Sequence, residues 1–151
     1  MLVCGALSAA MEKNEIATTR GRSGDREVGR GSIVNLASAN AYIAEPGKSP
    51  YVASKHAVLG VTRTAALENA QKQIRINALC PTWVATPMMD FDFQFDPAIP
   101  EMVKKIHPKK RMALPEEVAG TVLFLLSPSA SYISGTGMLV DHGVLLSVNT
   151  G

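Results

Sequence analysis

Aromatic residues are scarce in this chain, 5% of 151 residues with a single tryptophan. That scarcity argues against the aromatic platforms on which single-stranded nucleic acid stacks. Charge of one sign is lacking too: 15 Lys and Arg face 13 Asp and Glu, and a net charge of +2 makes no case for a nucleic acid or membrane partner. The basic run KKIHPKKR at 104–111 has no interleaved aromatics and reads as a solvated loop. Only two cysteines occur, Cys4 and Cys80, far apart and without metal-ligand company. They point to a reducing compartment, with no disulfide framework and no metal site. No apolar run reaches the roughly 18 residues of a membrane span, and no basic leader with a cleavage site opens the chain, so a cytoplasmic protein is expected. What is abundant is hydrophobic residues, 46%, enough to build one core in one domain or part of one.

Three parts follow in order. Residues 1–13, MLVCGALSAAMEK, are good helix formers with no cap before them, and read as the remnant of a helix. Residues 14–30, rich in Gly and Arg without periodicity, read as a polar loop, partly disordered. Residues 31–149 are patterned. GSIVNLAS (31–38) is a short apolar run suited to a strand buried on both faces. A long helix is expected over 50–70, capped by Ser49 with Pro50 at its first position. IRINALCP (74–81) is a second strand, PEEVAGTVLFLLSP (115–128) a second helix, and GMLVDHG (137–143) a last strand. This alternation predicts an α/β fold, a partial doubly wound parallel sheet of three strands with covering helices. In such sheets ligands bind beyond the carboxyl ends of the strands, where the segments after NLAS and ALCP and the helix start at Tyr51 converge.

Tyr51 and Lys55 stand four residues apart on one helix face. A lysine ammonium about 4 Å from a phenol, at an effective dielectric near 20, favours the phenolate by up to about 4 kcal/mol. Such a phenol is a usable acid and base near neutral pH. The spacing alone is common; its company strengthens it. Ser38, at the end of the first strand, either caps the strand end or hydrogen-bonds the substrate oxygen that Tyr51 protonates. The three histidines, His56, His107 and His142, lack nucleophile or metal-ligand partners and read as structural.

Taken together, the stretch IVNLASANAYIAEPGKSPYVASKHAVLGVTRTAALENAQKQIRINALCPTWVATPM, with LPEEVAGTVLFLLSPSASYISGTGMLVDHG after it, resembles the short-chain dehydrogenase/reductase family, over residues 31–143 almost continuously. The resemblance implies a Rossmann-like NAD(P)-binding fold, a small-molecule substrate, and interconversion of a ketone or aldehyde with an alcohol by hydride transfer with NAD or NADP. It implies that Tyr51 is the general acid and base, that Ser38 orients the substrate oxygen, and that Lys55 assists Tyr51 and binds the nicotinamide ribose. Pro81, Thr82, Val84 and Thr86 match the family's segment that holds the nicotinamide, with Thr82 where a glycine is usual, and His142 stands where a second glycine is common. Substrate contacts are expected from Ala39 and the residues to 43, from Trp83, and from a segment at 88–112 that begins with Met88. The methionines and phenylalanines of that segment form an adaptable apolar lid or pack against a partner subunit.

The family's amino-terminal Gly-rich turn is missing; the glycines at 21, 24, 29 and 31 lie in a charged stretch. The chain therefore reads as the carboxy-terminal, catalytic half of a truncated single-domain member. Its first strand would leave an exposed edge, so the chain is expected to be marginally stable or a homo-oligomer, dimer or tetramer, binding NAD(P) weakly. A competing reading is a non-enzymatic interaction module whose helices at 1–13 and 51–69 serve as oligomerisation surfaces.

Overall fold

The computed structural model describes residues 2–146. Residue 1 of the first helix and 147–149 of the last part of the chain, both included in the divisions above, lie outside the described residues. Among the described residues the first element is α1 (Leu2–Met11) and the last strand is β5 (Gly137–Val140). Between them come β1 (Ala17–Gly21), β2 (Gly24–Gly29), β3 (Gly31–Leu36), α2 (Ser49–Asn69), β4 (Ile74–Pro81), α3 (Pro87–Phe95), α4 (Ile99–Ile106) and α5 (Pro115–Leu126).

The core is a parallel sheet in the order β3-β4-β5. Strand β4 is central, and all its residues except Pro81 are buried, the alternating polar Arg75 and Asn77 included, because both faces of the sheet are covered. Its register sets Gly31 opposite Ile74 on one side and Ala78 opposite Gly137 on the other. Side chains alternate across the sheet. Ile33, Ile74 and Ile76 face α1 and α2, where they cluster with Cys4, Ala65 and Ala66. Ser32 and Arg75, one residue out of phase, face α5: the Ser32 hydroxyl and the Arg75 guanidinium both donate to the Leu125 carbonyl, at 3.1 and 2.8 Å. Helices therefore cover both faces, as the alternation predicts. Arg75 also donates to the Ser127 carbonyl at 3.2 Å, so the buried cation satisfies the unpaired carbonyls at the end of α5.

Two polar side chains stitch the layers. Asn77, fully buried in β4, donates to the Ile133 carbonyl at 2.9 Å and accepts the Thr136 amide at 3.1 Å, which guides the chain into β5. Thr62 of α2, also fully buried, accepts the Asn35 amide of β3 at 2.9 Å. Gly137 is needed where it stands, because a Cβ there would meet the Tyr42 hydroxyl and Leu59.

Three local expectations change. Residues 14–30 are not a loop: β1 and β2 form an antiparallel hairpin closed by Arg22 and Ser23. Alternation is hidden there because long-range polar contacts, rather than an apolar face, dock the hairpin: Arg26 donates to the Pro128 carbonyl at 3.0 Å and to the Ser131 hydroxyl, and Gln73 donates to Glu27 at 3.0 Å. Helix α2 begins one residue early. The Val52 amide bonds the Lys48 carbonyl at 2.9 Å, so Lys48 rather than Ser49 is the capping position, and it makes no side-chain cap bond. The last strand ends at Val140, because both Asp141 carboxylate oxygens accept amides of the following turn, Gly143 at 3.0 Å and Leu145 at 3.1 Å. The segment at 88–112 is largely helical, carrying α3 and α4, with the second anchored by buried Val103.

Candidate active site

Each strand delivers one part of the site at its carboxyl end. After β3 the ladder extends through the Ala37 amide to the Leu79 carbonyl at 2.8 Å, and Ser38 follows, buried. Ser38 caps the single turn of 3-10 helix Ala39–Ala41, its hydroxyl accepting the Asn40 amide at 3.2 Å. Its backbone is fully extended, so the hydroxyl leaves the strand at a fixed angle. Tyr51 lies in the first turn of α2, 46% exposed. One turn on, the Lys55 ammonium stands 5.4 Å from the centre of the Tyr51 ring and donates to the Leu36 carbonyl at 3.3 Å. The helical spacing therefore sets the amine beside the Tyr51 ring, and the strand-end Leu36 carbonyl accepts from it.

The segment after β4 is held by backbone bonds on both sides. The Thr82 amide bonds the Val140 carbonyl at 3.3 Å, Trp83 and Ala85 pair with Ala113 at 2.9 and 2.8 Å, and Val84 bridges Ala113 in parallel. The Thr86 carbonyl then accepts the Met89 amide at 2.9 Å, which starts α3. The Thr82 hydroxyl is buried with no hydrogen-bond partner among the described residues.

These elements enclose a cavity of about 580 Å³. Of the residues expected from the sequence, Ser38, Ala39, Tyr51, Thr82, Trp83 and Met88 line it, whereas Lys55, Pro81, Val84 and Thr86 are not among its lining residues. One wall is apolar, built from Met89 of α3 and Ile99, Met102 and Ile106 of α4. The opposite wall is polar and includes two residues that sequence reasoning missed, Glu45 and Lys48, joined by an ion pair of 2.6 Å. Burial raises the Glu45 carboxyl, but hydrogen bonds from Lys48 and Asn40 outweigh it and hold the group below the usual carboxylate range. The only sequence signal was their spacing, three residues apart in EPGK. Val144 and Leu145, beyond β5, also reach the cavity and were not anticipated.

None of the three histidines lines this cavity. His56 bonds the Val52 carbonyl at 3.0 Å within α2, and His107 is buried at the end of α4, its Nδ1 accepting the Lys109 amide at 3.3 Å. Burial, with the charge of His142 next, pushes the His107 imidazole below its usual range. A larger cavity of about 690 Å³ lies at the opposite end of the strands, against the hairpin. There Gln73 bonds Glu27 and Arg75 bonds the end of α5. No group of three or more potential metal ligands occurs among the described residues.

Comparison with known proteins places this geometry. A family model described as enoyl-(acyl carrier protein) reductase matches residues 17–145. The chain is 45% identical to the short-chain dehydrogenase anuF of Penicillium roqueforti over 145 residues, 96% of this chain and 52% of that protein. It is 48% identical over 113 residues, 75% of this chain and 43% of that protein, to a cyclohexanol dehydrogenase of an Acinetobacter species. Among solved structures, a gluconate 5-dehydrogenase of Burkholderia cenocepacia, in complex with NADP and tartrate, superposes with a TM-score of 0.73 at 29% identity, covering 78% of this chain and 46% of that one. The chain belongs to the short-chain dehydrogenase/reductase family. It spans about half the length of the curated relatives it matches.

Proposed function

We propose that the chain carries the proton-transfer machinery of an NAD(P)-dependent oxidoreductase that interconverts a ketone or aldehyde with an alcohol. The observation that carries this is the convergence of the Ser38 and Tyr51 side chains on one cavity, with the Lys55 ammonium over the Tyr51 ring. When bound, the nicotinamide supplies or accepts the hydride at the carbonyl carbon. As the carbonyl becomes an alkoxide, the Tyr51 hydroxyl gives its proton to that oxygen, and in the reverse direction takes it back. The Ser38 hydroxyl holds the same oxygen, and the Lys55 cation steadies the negative charge left on the phenol oxygen.

The residues present fit the nicotinamide end of the cofactor. The unpartnered, buried Thr82 hydroxyl is a polar atom that a bound group would satisfy. Lys55 and Tyr51 would hold the ribose, and Pro81, Thr82, Val84 and Thr86 the carboxamide. The apolar wall of α3 and α4 suits a ring-shaped apolar substrate, in keeping with the kind of alcohol named for the Acinetobacter relative. The test is oxidation of NADH or NADPH by the purified chain with cyclohexanone. Tyr51→Phe is expected to lower turnover by about a hundredfold or more; turnover that survives the change overturns the assignment.

Self-association and a cytoplasmic setting complete the proposal. Val3 and Leu7 of α1 and Leu67 of α2 are exposed apolar side chains on helices that a second copy would cover. Both cysteines are free and buried, in keeping with a reducing compartment, and no helix among the described residues is long and apolar enough to cross a membrane. Sedimentation at micromolar concentration is expected to give a dimer or tetramer; a monomer removes this part of the proposal.

A further inference from the structure

The polar wall of the cavity is a connected chain of hydrogen bonds that begins at Ser38. The Ser38 hydroxyl donates to the Asn40 side-chain oxygen at 3.3 Å, the Asn40 side-chain amide donates to one Glu45 oxygen at 3.0 Å, and Lys48 binds the other Glu45 oxygen at 2.6 Å. All four residues line the cavity. The proton transfer proposed above does not use Asn40, Glu45 or Lys48.

We infer that this chain selects the substrate: the site takes a neutral ring ketone or alcohol bearing a hydroxyl on the carbon next to the reacting one. The inference rests on the proposed carbonyl site. Its first support is distance. The Asn40 oxygen stands 3.3 Å from the Ser38 oxygen, a hydrogen-bond separation, so two neighbouring oxygens of one ligand can meet the two groups at once. The second is acceptor capacity. A carboxylate offers about four lone-pair sites and an amide oxygen two, and only part of these are taken by Asn40, Lys48 and Ser38, so a hydroxyl donor finds an open acceptor. The third is charge. Lys48 is already paired with Glu45, so a ligand carboxylate set against this wall would meet the Glu45 anion, whereas a neutral hydroxyl meets no such penalty. The ring itself lies against Met89, Met102 and Ile106 on the other wall.

Trp83 is the chain's single tryptophan and lines the same cavity, so its fluorescence reads binding directly, without turnover. The full chain is titrated, with and without NADP, against cyclohexanone and its 2-hydroxy and 4-hydroxy derivatives. The 2-hydroxy ketone is expected to bind about five- to twentyfold tighter than cyclohexanone, the worth of one added hydrogen bond to a polar or charged acceptor. The 4-hydroxy ketone should gain nothing. In Asn40→Ala and in Glu45→Ala the preference for the 2-hydroxy compound should fall towards one. Equal affinities in the wild type, an equal gain for the 4-hydroxy ketone, or a preference that survives both substitutions overturns the inference while leaving the carbonyl site standing. Silence of Trp83 to all three ketones removes the carbonyl site and the inference together. The wild-type comparison decides the matter even where a variant fails to fold.

Discussion

Replacing Asn77 by alanine tests whether polar stitching, rather than apolar packing alone, holds the site in register. Asn77 is fully buried in the central strand, and its side chain serves two backbone groups of the segment entering β5, the Ile133 carbonyl at 2.9 Å and the Thr136 amide at 3.1 Å. Alanine reaches neither. The part-buried Thr136 amide then loses its partner at about 1–3 kcal/mol, while the Ile133 carbonyl keeps the Arg75 contact at 3.4 Å and loses about 0.5–1.5 kcal/mol, so the expected destabilisation is about 1.5–4.5 kcal/mol. That is a large share of the about 5–15 kcal/mol typical of a domain. The assay is urea unfolding followed by circular dichroism, read as a lower midpoint at unchanged slope. Asn77→Asp is a useful second variant, since it keeps the acceptor for Thr136, loses the donor to Ile133 and adds a buried charge; it should be no more stable than the alanine variant. A midpoint for Asn77→Ala within about 0.5 kcal/mol of wild type would refute the reasoning, because surface-like tolerance is incompatible with an orphaned amide and a weakened carbonyl bond beside a buried strand.

Three further outcomes follow from the geometry. Glu117 accepts both Arg111 nitrogens, at 2.8 and 2.9 Å, and the Leu114 amide at 2.8 Å, which depress its carboxyl from 4.5 to about 2 in that order of cause. Because the folded value is the lower one, the contribution is complete above about pH 5 and is lost as pH falls towards 2. A carboxyl NMR titration should find the low midpoint, and Arg111→Ala should return it towards the usual range; an ordinary midpoint in the wild type contradicts the contact. Gly29 has φ of 102°, and a Cβ there would collide with the Gln73 carbonyl, so Gly29→Ala should cost about 2 kcal/mol or more in thermal or urea unfolding. Lys55→Met removes the cation over the Tyr51 ring and should lower kcat about tenfold or more with the fold retained by circular dichroism; an unchanged kcat would remove Lys55 from the chemistry.

What was legible in the sequence was whatever depends on local pattern. The β-branched stretch from Ile74, ended by Pro81, reads as a strand, and it is the buried centre of the sheet. Pro115 with Glu116 and Glu117 in the first turn marks the start of α5. The four-residue spacing of Tyr51 and Lys55 is enough to bring ring and amine together, because helical geometry does the rest. Order along the chain also predicted that Ser38, Trp83 and Met88 would meet, since the carboxyl ends of neighbouring parallel strands lie side by side.

What was not legible depends on partners far away in sequence. The hairpin of β1 and β2 has no apolar face to announce it: its strands are ATTRG and GDREVG, and the contacts that dock it come from Pro128, Ser131 and Gln73. A composition of Gly and Arg reads as loop when those contacts are unknown, since polar residues without period signal disorder. The polar wall of the site is hidden for a related reason. Asn40, Glu45 and Lys48 sit in an irregular connection whose course is set by the Ser38 turn at one end and Pro50 at the other, and no period links them. Motif reasoning finds Tyr51 and Lys55, the groups proposed to move the proton, because their spacing is dictated by one helix. It does not find the groups proposed to choose the substrate, because a loop can bring them to the cavity from many spacings.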